Sequence, residues 1–248
     1  MKTITIASLI LFQVFNILAQ PTFDVIKTNK GDLMISPVQH ATFVMTWNGK
    51  TIYVDPTGGA DSFTKFKAPD FIFVTDIHGD HFDVKTLEAI NASAATIIVP
   101  QAVADLMPSS LKPNLLVVGN LQRVKTKGLT VTAVPMYNLP ETSDSRHPRG
   151  RGNGYVIKLG NKKVYISGDT EDIVEMRKLK GIDAAFVCMN LPYTMDINQA
   201  ASAVLDFKPE IVYPYHYRGQ NGLSDVGKFK ELVNGDNFKV DVKLLKWY

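Results

Sequence analysis

Residues Phe71–Val84 read "FIFVTDIHGDHFDV": an apolar run, then two histidines and three aspartates within eight positions. A short apolar run of this kind suits a strand buried on both faces, so the charges fall where that strand ends. Such a cluster fits a solvated turn, a calcium loop or a set of transition-metal ligands. Calcium is excluded by register: a loop opening at Asp76 wants an oxygen ligand third, glycine sixth and glutamate twelfth, and the chain has His78, His81 and Leu87 there. A mixed set of imidazoles and carboxylates suits zinc, manganese or iron instead.

Working outward, "FDVIKTN", "DLMISPV", "ATFVMTW" and "TIYVDP" precede the cluster as consecutive strands, with Asn48–Lys50 as a hairpin turn. Beyond it, helix "DVKTLEAINA", strand "ATIIVP", helix "QAVADLMPSS" and strands "NLLVVG", "RVKTK" and "LTVTAVP" follow. The second half begins again with a hairpin around "GNK". It then alternates helix "EDIVEMRKLK", strand "DAAFVCM", helix "MDINQAASAVLDF", strand "EIVYPYH", helix "SDVGKFKELVNG" and a last strand "KVDVKLLKW". This order predicts an α/β protein built of two sheets, each covered by helices.

The polar clusters all lie where strands end: "TDIHGDH", "GDT" at 168–170, "YHYRG" after "EIVYP", and a long loop "YNLPETSDSRHPRGRGNG" at 137–154. The five histidines, His40, His78, His81, His147 and His216, all fall at such places. Loops at the carboxyl ends of strands are where buried sheets assemble sites. Asp76, His78, Asp80, His81, His147, Asp169 and His216 exceed as ligands what one ion needs, so two ions sharing a bridging group is the economical arrangement.

The first residues, "MKTITIASLILFQVFNILAQ", have the layout of a secretory signal peptide: Lys2, an apolar run, and Ala19 near the cut. We therefore expect a signal peptide at 1–20, a single domain at 21–248, and an exported, periplasmic or secreted protein without stable membrane insertion after cleavage. An uncleaved anchor is the competing reading. A net charge of +3 on 248 residues, with basic residues scattered, lacks the footprint of a nucleic-acid binder. The single cysteine, Cys188, sits in "AAFVCM" and is expected to be a small buried hydrophobe.

Asp76-x-His78-x-Asp80-His81, then His147, Asp169 in "GDT" and His216 resemble the metallo-β-lactamase superfamily, whose motif is His-x-His-x-Asp-His followed by a distant His, Asp and His. "QHATF", Asp55-Pro56 and the loop from Tyr137 to Tyr155 bring the chain nearer to a branch of metal-dependent hydrolases resembling ascorbate-phosphate lactonase. The resemblance spans roughly residues 30 to 245 and implies an αββα sandwich of two mixed sheets flanked by helices. It also implies one divalent ion on Asp76, His78 and His147, a second on Asp80, His81 and His216, and Asp169 bridging. Zinc is the first expectation, with manganese or iron as alternatives. Asp76 departs from the pattern by standing where the family has histidine, which moves preference away from zinc or leaves the first site weak and the enzyme with one ion.

The implied chemistry is hydrolysis of a small ester, lactone, amide or phosphoester by a metal-activated hydroxide. Asp80 either orients that hydroxide or is a plain ligand, and His40 either meets the substrate or supports a ligand. Tyr137, Asn138, Arg146, Asn190 and Tyr193 are candidate substrate contacts, Arg146 for an anionic group. β-Lactam hydrolysis, or a non-hydrolytic metal-binding or redox role on the same fold, are the alternatives; the oligomeric state is not legible.

Overall fold

The computed structural model describes residues 20–142, 144–236 and 239–248; the signal-like segment lies outside them, apart from Gln20. Two seven-stranded sheets pack face to face. The first runs in sequence order through β1 (Asp24–Thr28), β2 (Gly31–Gln39), β3 (Thr42–Trp47), β4 (Lys50–Val54), β5 (Phe71–Phe73), β6 (Thr96–Val99) and β7 (Leu115–Val117). The second holds β8 (Arg123–Thr126), β9 (Leu129–Met136), β10 (Gly152–Leu159), β11 (Lys162–Ile166), β12 (Ala184–Cys188), β13 (Ile211–Tyr215) and β16 (Asp241–Val242). A small hairpin, β14 (Arg218–Gly219) with β15 (Gly222–Leu223), stands apart. Each sheet is mixed: antiparallel from β1 to β4 and from β8 to β11, parallel from β4 to β7 and from β11 through β12 and β13 to β16.

Alternation along the strands decides what each face meets. Phe43, Met45, Ile52 and Phe73 of the first sheet turn inward onto the second, where Phe43 stacks on Phe186 at 4.2 Å and Phe73 meets Tyr155 edge-on at 5.2 Å. Their neighbours Val44, Tyr53, Ile72 and Val74 turn outward and are covered by α1 (Val84–Ala89) and α2 (Gln101–Leu106), through Leu87, Val103 and Ala104. The second sheet is covered by α3 (Val174–Arg177), α4 (Ile197–Phe207) and α5 (Val226–Asp236). α4 starts at Asp196, whose carboxylate accepts from the Asn198 and Gln199 amides while the Gln199 side chain returns to the Asp196 amide, a capping box. Cys188 is fully buried in β12, and burial pushes its thiol up to about 11.

Three elements differ from the sequence expectation. The predicted helix "EDIVEMRKLK" forms only one turn, α3. The last strand pairs only at Asp241–Val242; the chain then leaves the ladder, Trp247 packs against Phe43 and Tyr215, and Tyr248 reaches His40. Gly152–Gly154, read as loop, open β10, and the Asn153 amide donates to Thr75 O at 2.9 Å where the two sheets converge. Among the described residues no helix is long and apolar enough to cross a membrane.

Candidate metal centre

The carboxyl ends of β2, β4, β5, β9, β11, β12 and β13 share one edge of the sandwich, and each delivers a polar group to it. His40 follows β2, Asp55 follows β4, Asp76 to His81 follow β5, Tyr137 to His147 follow β9, Asp169 follows β11, Asn190 follows β12 and His216 follows β13. His40, Asp55 and His216 hold φ of 50°, 44° and 47°. That left-handed conformation is uncommon for residues with a Cβ and is kept only where the surroundings enforce it. Gly168 also has positive φ (62°), and a Cβ there would lie 2.6 Å from Met136 Sδ. Only glycine lets β11 turn so closely into Asp169.

Two donor clusters result. In the first, His81 Nε2 lies 3.1 Å from His216 Nε2 and 3.3 Å from Asp169 Oδ2, and His216 Nε2 lies 3.2 Å from Asp169 Oδ1 and 3.4 Å from Asp80 Oδ2. Donors about 2.0 Å from a tetrahedral ion stand roughly 3.3 Å apart, so this spacing is that of ligands around one cation. The residues present fit such an ion. His81, Asp169 and His216 are buried, and Asp169 Oδ1 is among the buried polar atoms without a hydrogen-bond partner. A buried carboxylate oxygen with no well-formed hydrogen bond, only the His216 ring nitrogen at 3.2 Å, suits a cation between the two.

Behind His81 stands a carboxylate. Asp55 accepts from the Thr75 amide at 2.8 Å, from the Thr75 hydroxyl at 2.7 Å and from His81 Nδ1 at 2.9 Å. That contact fixes the proton on Nδ1 and aims the Nε2 lone pair into the cluster, the usual orientation of a metal-binding histidine. Burial pushes the Asp55 carboxyl up, but three donors keep it the acceptor. Burial opposes charge on His81 as well, yet Asp169 and Asp55 hold its imidazole well above the ordinary value; conversely Asp169, despite burial, is held well below by His216 and His81. The carboxylates and imidazoles of the cluster thus hold one another in their charged forms, and a bound cation would take the place of the ring protons at Nε2.

In the second cluster, His78 Nδ1 lies 2.9 Å from Asp76 Oδ2, and His147 Nε2 lies 4.0 Å from that oxygen and 3.3 Å from Asp169 Oδ2. A residue outside the sequence-derived set enters here: Arg151 donates from Nε to Asp76 Oδ1 at 3.0 Å and from Nη2 to Asp76 Oδ2 at 2.8 Å. Burial raises the Asp76 carboxyl, but its bonds to His78 and Arg151 bring it down to about 2.

The remaining candidates divide by what they touch. Asp80 sits at the mouth, 3.3 Å from His40 Nε2, and the Tyr248 hydroxyl lies 2.9 Å from His40 Nδ1. Asn138 accepts from the His147 amide and Nδ1 and donates to Tyr193 O, so its side chain holds His147. Tyr137 is buried, its hydroxyl donating to Glu175. Asn190 Nδ2 stands 3.4 Å from His216 Nε2. Arg146 is exposed, its guanidinium 4.4 Å over the Tyr193 ring. Arg151, Thr75 and Tyr248 escaped the sequence reading, and Asp55 entered it only through the resemblance, with no role at the site. Asp55 was visible as the acid closing an apolar strand, whereas Arg151 lay hidden in a stretch read as loop.

Two mixed sheets sandwiched between helices, with His and Asp donors gathered at one edge, define the metallo-β-lactamase fold. The chain belongs to the beta-lactamase superfamily, its residues 34–216 matching the beta-lactamase superfamily domain. It is 33% identical over 213 residues to a UPF0173 metal-dependent hydrolase of Pyrococcus abyssi, covering 82% of this chain and 92% of the relative. A crystal structure from Parabacteroides distasonis, also designated a metal-dependent hydrolase, superposes with a TM-score of 0.79 at 36% identity, covering 90% of this chain and 99% of that one. A metallo hydrolase from Ignicoccus hospitalis shares the fold, with a TM-score of 0.72 at 24% identity over 87% of this chain and 95% of its own.

Proposed function

We propose that the protein is an exported metal-dependent hydrolase of a small ester, lactone, amide or phosphoester. The observation that carries this reading is the near-equal spacing of His81 Nε2, His216 Nε2 and the Asp169 carboxylate, 3.1 to 3.3 Å, with Asp55 orienting His81 from behind. His81, Asp169 and His216, with Asp80 at the open side, would hold a divalent ion, zinc first and manganese or iron next. Such an ion supplies hydroxide near neutral pH and polarises a carbonyl or phosphoryl oxygen.

The chain's own groups supply the rest. Asp80, held low by its bonds to His216 and His40 despite partial burial, stays an anion whose Oδ2 accepts hydrogen bonds and can orient a water or hydroxide at the ion. His40, tied between Asp80 and Tyr248, fixes that carboxylate at the mouth and can pass a proton outward. Arg146, exposed beside Tyr193, suits an anionic group on the substrate. The relatives' designation as metal-dependent hydrolases supports the reaction class, and the Lys2, apolar run and Ala19 layout supports export.

A panel of aryl esters, lactones, phosphodiesters and β-lactams, assayed on stripped and zinc- or manganese-reconstituted protein, tests the activity. Hydrolysis of at least one member, falling more than about a hundredfold on stripping and absent in His81→Ala, is expected; an inert panel with metal bound would refute it. Sequencing the amino terminus of native protein tests export: a start near Gln20 is expected, and a retained Met1 overturns it.

A further inference from the structure

The second cluster already contains a cation. The Arg151 guanidinium forks onto both oxygens of the buried Asp76, and the same Nη2 lies 3.3 Å from His78 Nε2. A guanidinium nitrogen can only donate. His78 Nε2 is therefore the acceptor, and a neutral imidazole then carries its proton on Nδ1, from which it donates to Asp76 Oδ2 at 2.9 Å. Both ring nitrogens are committed. Coordination through Nδ1 would move the proton to Nε2 and set it against the Arg151 N–H; coordination through Nε2 would displace Arg151.

Charge and count point the same way. Asp76 is the one anion that belongs to this cluster alone, and Arg151 neutralises it, whereas the first cluster gathers Asp80 and Asp169 around His81 and His216. The donor spacing is also uneven, 2.9 Å from His78 to Asp76 but 4.0 Å from His147 to Asp76. Only His147 keeps an uncommitted nitrogen, since Nδ1 is bound by Asn138 and Nε2 is buried without a hydrogen-bond partner. With an oxygen of the shared Asp169 that makes two donors, fewer than the three protein ligands of a catalytic zinc site.

We infer that the Arg151 guanidinium takes the place of the first ion, so that this chain binds one divalent ion, at His81, Asp169, His216 and Asp80, where the family pattern implies two. The inference rests on the metal-centre reading proposed above and deepens it. With Nε and Nη2 committed to Asp76 and His78, Nη1 is the nitrogen left to offer a carbonyl or phosphoryl oxygen a hydrogen-bond donor where a second Lewis acid would otherwise stand. The position of Arg151 is built in: Asn153, two residues on, is hydrogen-bonded to Thr75, the neighbour of Asp76.

The test is metal counting on full-length protein, stripped and reloaded with excess manganese, with electron paramagnetic resonance reporting whether bound ions couple. Wild type should hold about one ion with an uncoupled manganese spectrum, and Arg151→Met, which frees Asp76 and His78, should hold about two. A coupled pair in wild type, or a folded Arg151→Met that still holds one ion, would overturn the inference. If the variant does not fold, the wild-type count and spectrum decide alone. Wild type that binds no ion refutes the metal centre itself, whereas an inert substrate panel leaves the count untouched, so the two failures are distinguishable.

Discussion

Arg151→Met should destabilise the metal-free protein by about 2 kcal/mol at neutral pH. The magnitude follows from the Asp76 carboxyl, drawn from 3.8 to about 2 by His78 and Arg151. A drop of about two units at roughly 1.4 kcal/mol each gives about 2–3 kcal/mol for both partners together. Arg151 supplies two of the three bonds, and the carboxylate it leaves is fully buried, where an unpaired charge is costly. For a chain of this size such a loss lowers the melting temperature by about 4–8 °C. The sign with pH is fixed because the folded-state value is depressed: the contribution is complete above the unfolded value near 4 and is lost as pH falls to about 2. Urea melts of chelator-treated wild type and variant at pH 7 and pH 3 measure it, and the difference between them should shrink by about half at pH 3. A neutral-pH difference below about 0.5 kcal/mol, the level of an ordinary surface change, or one that does not narrow at pH 3, would refute the reasoning.

Three further outcomes follow from the same geometry. Asp55→Asn, which keeps the shape but weakens the hold on His81 Nδ1, should lower divalent-ion affinity by about 10- to 100-fold in calorimetric titration; affinity within about twofold of wild type would remove Asp55 from the centre. Zinc at a hundred times its dissociation constant should stabilise the stripped protein by about 2.7 kcal/mol, read as a rise in melting temperature. No rise would mean that the ion does not bind the folded state preferentially. His216→Ala, removing a nitrogen 3.1 to 3.4 Å from three other donors, should lose the ion by mass spectrometry while His78→Ala keeps it, and the reverse pattern would exchange the two clusters.

Much of this centre is legible in the sequence because its chemistry is local. Asp76 to His81 fall within one turn after a buried strand, and the other histidines follow strands of their own, so their places at strand ends are readable from the sequence, while strand pairing brings those ends to one edge. What the sequence hides is pairing between distant segments. Asp55 meets His81 because β4 and β5 are parallel neighbours with Val54 opposite Phe73, a register not written in either segment. Arg151 meets Asp76 because β10 starts at Gly152, inside a glycine-rich stretch whose composition favours a loop. Tyr248 reaches His40 because the last strand pairs over two residues only, although its alternation continues past them. The short α3 has a similar origin: Arg177 turns back to Asp172 and across to Asp206, tying the turn to α4.

The most direct test of the account is anomalous diffraction at the zinc edge from crystals of the zinc-loaded protein. The account predicts one strong peak about 2.0–2.2 Å from His81 Nε2, His216 Nε2 and an Asp169 oxygen, with Arg151 still forked on Asp76. The principal peak between Asp76, His78 and His147, or no peak among these residues, would contradict it.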